Sequence, residues 1–304
     1  MLKATKKQRK QKKSLGTVVS NNISGWGLIL PSIFLFVMIV WRPILIGISY
    51  SFFDLQGFTP TEFVGFNNFR DVLSDTNFTA TLKNTIAYVG FSFLIGFPLP
   101  FICAVLMNEL VHGQRYFKLT TYLPVIIPSI ATSMIWKMVY MNGEGGLLNM
   151  VRYALGLVPI DWLGTKSLTI PLIVISMSWN AFGSTLIIYL ASLQSINQEL
   201  YEAARLDGAG FFSRIVHVLL PHMRGILLLN GIRQIISVFN VTEQPLAMTD
   251  GGPNGASMSL GLTNYFYAFK YGQYSKSMAL GVITFALLLV LTFIYFALDK
   301  RLEE

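Results

Sequence analysis

The residues best suited to chemistry in this chain are polar groups set in apolar surroundings. Asn230, Arg233, Gln234, Ser237, Asn240 and Gln244 punctuate an apolar run at 225–246. On a continuous helix they fall within a sector of about 120° on one face. Leu228, Ile232, Ile235, Val238 and Phe239 occupy the opposite side. Intramembrane polar groups face a bundle interior or an aqueous cavity, so the stripe either lines a transport path or bonds neighbouring helices together. Amide and hydroxyl side chains pair well with the hydroxyls of a carbohydrate. A second apolar run, at 168–190, contributes Trp179 and Asn180 alongside Ser176, Ser178 and Ser184. The indole of Trp179 can either stack on a sugar ring or pack between helices. Arg233 is the most informative single residue, because an arginine near a helix centre costs about 2.5–3.5 kcal/mol on insertion scales. No Asp or Glu stands near mid-depth in any apolar run. The partner of Arg233 is therefore another subunit, water, a carbonyl or an anionic solute such as a uronate. Arg42 and Lys137 lie nearer the ends of their runs and suit snorkelling to the interface.

Other chemistries lack their residues. No Gly-x4-Gly-Lys-Ser/Thr loop occurs, and Gly164-Thr165-Lys166-Ser167 is only a fragment of one. Without a phosphate-cradling loop the chain is not expected to hydrolyse ATP or to bind a cofactor of its own. A single cysteine, Cys103, and three scattered histidines offer neither a disulfide framework nor a metal cluster. The apolar runs carry no catalytic Asp pair or Ser–His arrangement for an intramembrane enzyme. They show no inverted repeat and no coupling carboxylates for a self-sufficient secondary transporter either.

The elements that must position these groups follow from composition. Apolar residues make up 53% of the chain and charged ones 12%, about half the charge of a soluble domain. Six runs, at 27–52, 85–107, 120–141, 168–190, 225–246 and 278–298, are long enough to cross a hydrocarbon core about 30 Å thick. They are continuous rather than alternating, which excludes a β-barrel. The expectation is an all-α polytopic membrane protein with six transmembrane helices, bent in places by Pro43, Pro98, Pro100, Pro124, Pro128 and Pro171. Segments 1–26, 108–119, 191–224 and 299–304 hold fourteen of the 23 Lys and Arg residues, and the opposite loops hold six. That bias places both termini in the cytoplasm. The chain then reads as a basic tail at 1–25, a transmembrane region at 26–300 and a short tail at 301–304. The cluster Lys3–Lys13 suits anchorage beside anionic lipid; no folded reader of nucleic acid accompanies it.

One inner loop, 198–221, is too patterned to be a plain connection. Glu199 to Leu206 reads as a short amphipathic helix with Leu200, Ala203, Ala204 and Leu206 on its apolar side. Gly208 and Gly210 are placed to end it. Phe211 to Val218 suits a second short helix, which Leu220-Pro221 is expected to stop. Glu202-Ala203-Ala204, three residues, Gly208, nine residues, then Val218-Leu219-Leu220-Pro221 resembles the EAA loop of permease subunits in binding-protein-dependent ABC importers. Val218 stands where that family prefers Ile, and Asp207-Gly208-Ala209 fits its usual run. Phe63-Val64-Gly65-Phe66-Asn67-Asn68-Phe69 and Thr249-Asp250-Gly251-Gly252-Pro253 make the chain similar to the carbohydrate-importer branch of maltose and glycerol-phosphate type. The resemblance implies a coupling helix that docks on a separate cytoplasmic ATPase dimer, which carries the ATP and Mg. In it Glu202 would make polar contacts, Ala203 and Ala204 would allow close approach, and Gly208 would set the angle between the two helices. It also implies a second permease subunit, an extracytoplasmic solute-binding protein, and a sugar or oligosaccharide cargo. Phosphorylated glycerol or a polyamine remain alternatives within the family.

Overall fold

The computed structural model describes residues 15–109 and 113–303; the basic cluster Lys3–Lys13 lies outside them. The chain divides after Tyr50 into two units. The first contains α1 (Leu15–Phe36), a wide π turn at Val37–Trp41 and α2 (Arg42–Tyr50). Residues Gly25–Tyr50 form one stretch long and apolar enough to cross a membrane.

The second unit begins with an antiparallel hairpin, β1 (Phe53–Gln56) and β2 (Thr59–Phe63), in which Phe53 faces Phe63. The hairpin lies between the apolar runs, and Asn68 holds it. The Asn68 amide, on α3 (Asn67–Leu73), donates to the carbonyls of Ser51 and Phe53 at 3.0 and 2.9 Å. Span 2 is then α4 (Phe78–Phe91), a π turn at Ser92–Gly96 and α5 (Pro98–Glu109). Span 3 comprises α6 (Gln114–Ile126) and α7 (Ser129–Val139), followed by the short α8 (Leu147–Ala154). Span 4 is the unbroken α9 (Lys166–Gln194). After it come α10 (Gln198–Leu206), α11 (Phe211–Arg214), a π turn at Ile215–Leu219 and α12 (Leu220–Phe239). The chain closes through α13 (Glu243–Thr249), α14 (Leu260–Tyr265), a π turn at Phe266–Lys270 and α15 (Tyr274–Glu303). Among the described residues five helices can cross a membrane, and six if α6 and α7 count as one span.

Three sequence expectations change here. The run at 120–141 is not one helix, because α6 and α7 meet at 98°. Proline drives the residue before it to extended backbone, and Ile127, before Pro128, has ψ 128°. Pro221 does not stop a helix either. Phe211–Phe239 runs on as one 29-residue span, because the Leu220 N–H reaches back to the Ile215 carbonyl across the π turn. The same wide turn stands two residues ahead of Pro43 and of Pro98. In each case the extra residue moves the proline ring away from the carbonyl it would strike. Finally, the run at 225–246 ends at Phe239. A continuing helix would need a Pro245 N–H for the Val241 carbonyl; proline has none, and the Ser259 hydroxyl takes that carbonyl instead.

Two of the three buried clusters among the described residues lie along α9. Ala104, Val105, Leu186, Tyr189, Leu190, Leu219 and Met223 form one buried cluster, and Tyr88, Tyr140, Ile173, Val238 and Met248 another. A Cβ at Gly183 would strike the backbone of Thr121 and Tyr122, so glycine is what lets α6 cross α9 in contact.

Candidate functional site

Part of the polar stripe does converge. Gln234 and Ser237 of α12 line a 160 Å³ cavity with Asn180 and Ser178 of α9 and Ser92 of the π turn in span 2. Gln244 joins them from α13, across the break in the chain rather than along one helix. The single-face argument therefore fails beyond Phe239, while the convergence of Gln234, Ser237 and Gln244 survives. Gly96 lets this wall close up, since a Cβ there would come within 2.6 Å of the Ser178 hydroxyl and 3.4 Å of the Gln234 amide.

The remaining candidates lie elsewhere. Asn230 is buried, and its amide folds back onto the Ile226 carbonyl of its own helix at 2.9 Å. Arg233 is exposed on α12 and is not among the cavity-lining residues. Asn240 follows the last turn of α12, bonds the Ile236 carbonyl at 2.8 Å, and faces a separate 150 Å³ cavity with Asn264 and Thr284. Trp179 stands edge-on to Trp136 at 5.9 Å and lines an apolar 370 Å³ groove with Ile95, Leu99 and Phe182. Asn180 has a structural task besides facing the cavity. Its amide donates to the carbonyls of Pro124 (2.9 Å) and Ile127 (3.2 Å) and to the Thr132 hydroxyl (3.1 Å), across the break between α6 and α7.

Sequence reasoning missed Glu243 and Ser92. Glu243 opens α13 and accepts a hydrogen bond from the Ser129 hydroxyl at the start of α7, joining the second halves of two interrupted spans. Its position at the far end of the 225–246 run, close to Pro245, was the available signal. Ser92 is one of three hydroxyls, with Thr85 and Tyr88, in the second apolar run, and no sequence pattern sets it apart.

The 198–221 loop folds into a knob. The Asn197 side chain caps α10 by accepting from the Glu199 N–H at 3.0 Å. Gly208, at φ +78°, ends the helix, with the Ala209 N–H returning to the Ala204 carbonyl at 2.9 Å. The expected apolar side is split. Tyr201 and Ala204 turn towards the protein, and Tyr201 packs with Phe211 and Ile215 on the Leu219–Met223 core. Leu200, Glu202, Ala203 and Leu206 face outward with Phe212, and Leu206 is 89% exposed. Pro221 lies a full π turn away, inside span 5.

At the opposite end, Thr249–Pro253 forms a tight loop with Asp250 and Gly251 in the left-handed region. Span 2 holds it. Asn84 donates to the carbonyls of Gly255 and Met258, at 2.8 and 3.0 Å, and the Tyr88 hydroxyl to that of Ser257 at 3.1 Å. A 490 Å³ cavity beside the loop is lined by Asp75, Asn77, Asp250, Asn254, Tyr267 and Lys270. Lys270 bridges Asp250 at 3.1 Å, and the Tyr267 hydroxyl donates to Asp75 at 2.8 Å. Burial, reinforced by that carboxylate, raises the Tyr267 phenol above its ordinary pKa.

Interrupted spans with a protruding helix at one end suit the membrane component of a transporter. Residues 96–304 match the family of binding-protein-dependent transport system inner membrane components, and the chain belongs to it. It is 30% identical, over 91% of its length and 93% of the relative's, to the trehalose/maltose transport system permease protein MalF of Thermococcus litoralis. It is likewise 30% identical to the multiple sugar-binding transport system permease protein MsmF of Streptococcus mutans, over 94% and 98% of the two chains. The fold is shared with a chain of the bacterial alginate ABC transporter, whose crystal structure contains an alginate pentasaccharide-bound periplasmic protein. The match has a TM-score of 0.81 at 22% identity and covers 95% of this chain and 98% of that one.

Proposed function

We propose that the chain is one of two permease subunits of an ATP-driven importer for a sugar or oligosaccharide, with both termini in the cytoplasm. A cytoplasmic ATPase dimer docks on α10, and an extracytoplasmic solute-binding protein delivers cargo at the Thr249–Pro253 end. The observation that carries this is the outward face of α10. Leu200, Ala203 and Leu206 form an exposed apolar strip beside Glu202, on a helix whose other face is fixed to the core through Tyr201. Such a strip suits a partner's groove, and its firm backing suits the transfer of movement. The relatives named for sugars support a carbohydrate cargo, as does a cavity lined by amides and hydroxyls.

The test joins Glu202→Ala with Gly208→Pro in the complex reconstituted in proteoliposomes. Proline holds φ near about −65°, so it does not fit the +78° that ends α10. Sugar uptake driven by ATP is expected to fall at least about tenfold, a coupling loss within the usual allosteric range. Unchanged uptake by an assembled complex would remove α10 from the mechanism. Stimulation of ATP hydrolysis by neutral and acidic oligosaccharides, each presented on the binding protein, identifies the cargo.

A further inference from the structure

Firm backing of α10 requires something to hold it, and the described residues show a charged cluster there. Glu109 ends α5, at the end of span 2. Its Oε2 accepts from the Arg205 guanidinium of α10 at 3.1 Å. Its Oε1 stands 3.9 Å from the guanidinium of Arg214, which belongs to α11 and hence to span 5. Both guanidinium groups lie over the Tyr201 ring, Arg205 at 5.5 Å and Arg214 at 5.0 Å. Arg214 also donates to the Ala209 carbonyl at 3.3 Å, inside the turn that ends α10. One carboxylate thus faces cations from the knob and from span 5, both of which lie over one aromatic ring.

The arrangement is only half closed. Glu109 Oε1 and Arg214 Nε are buried and have no hydrogen-bond partner among the described residues. The Arg214 side chain is 12% exposed and that of Glu109 23%, against 54% for Arg205. A buried charge without its hydrogen bonds is unfavourable. A small approach of span 5 to span 2 would close the contact between Arg214 Nη2 and Glu109 Oε1 and give that oxygen its partner, so the cluster favours such an approach.

We propose that Glu109 and Arg214, with Arg205 and Tyr201, are positioning residues of energy coupling. They fix α10 to spans 2 and 5 together, so that a push on α10 moves both helices. Without them the push is absorbed in the turns at 195–197 and 207–210. This inference rests on the coupling role of α10 and adds the route by which movement leaves it.

The experiment uses the full complex in proteoliposomes, with solute moved per ATP hydrolysed as the readout. Glu109→Gln is expected to assemble with the ATPase and to lower that ratio by about fivefold or more, the lower end of typical coupling strengths. Glu109→Asp, which keeps a carboxylate towards both guanidinium groups, is expected to retain at least half of the wild-type ratio. A general folding role would depress assembly and leave the ratio of the surviving complexes unchanged. A wild-type ratio for Glu109→Gln, alongside loss in the Glu202 and Gly208 variant, overturns the cluster and leaves the coupling helix standing. Full uptake by both variants overturns the coupling reading itself. Failure of both Glu109→Gln and Glu109→Asp to assemble also overturns the proposal, since it assigns the cluster to folding alone.

Discussion

Span 3 and the apolar run at 225–246 are both interrupted near a proline, yet their gaps are closed by different means. In span 3 the carbonyls of Pro124 and Ile127 are gathered by one amide, that of Asn180 on α9. In the 225–246 run the Val241 carbonyl is met by a hydroxyl, that of Ser259, which also accepts from the Leu262 N–H at 3.0 Å. The first gap is thus clasped by an unbroken span, the second by the loop that carries Thr249–Pro253. The contrast shows where rigidity is placed. Span 3 is tied to the fixed wall of the bundle, while the 225–246 run is tied to a loop on the face where cargo is proposed to arrive.

This contrast can be broken at three points. Replacing Gly183 by valine drives side-chain atoms into the backbone of α6 and is expected to cost about 3 kcal/mol or more. Loss of folded, detergent-stable protein in size-exclusion chromatography checks it. Asn180→Leu removes the donor from three acceptors at once and is expected to cost about 2–3 kcal/mol, read as a lower Tm of the purified subunit. Ser259→Ala frees one carbonyl and one N–H, for an expected cost of about 1–2 kcal/mol. In hydrogen exchange its effect should stay within 240–262, whereas that of Asn180→Leu should reach both α6 and α7. Equal and equally spread effects would erase the distinction between the two clasps.

Much of the architecture was legible in the chain because a membrane demands it. The apolar runs had to be about 20 residues long, and the spacing from Glu202 to Gly208 placed the knob and its terminating glycine. A bend at Pro124 and Pro128 was legible, but not its 98° size, and the break ahead of Pro245 was not. Pro98 and Pro221 are carried inside continuous spans, while Pro128 and Pro245 accompany breaks. The difference lies in distant donors: Asn180 stands 53 residues from Ile127, and Ser259 stands 18 from Val241. A local pattern contains no trace of them. For the same reason the wheel drawn through Asn240 and Gln244 lost its phase, while the cavity recovered Gln244 by folding it back. Arg233, expected on the path, is instead exposed on α12 outside the cavity.

The π turn at Ile215–Leu219 has a geometric consequence for the α11 end of span 5. Phe211, Ile215, Leu219 and Met223 all meet the same buried cluster, although they are spaced by fours. On a regular helix each step of four overshoots a full revolution by about 40°, so three steps drift by about 120°. The one residue absorbed by the wide turn takes back about 100° of that. The turn therefore works as a phase corrector, keeping the knob and the membrane half of the span in register on a single seam.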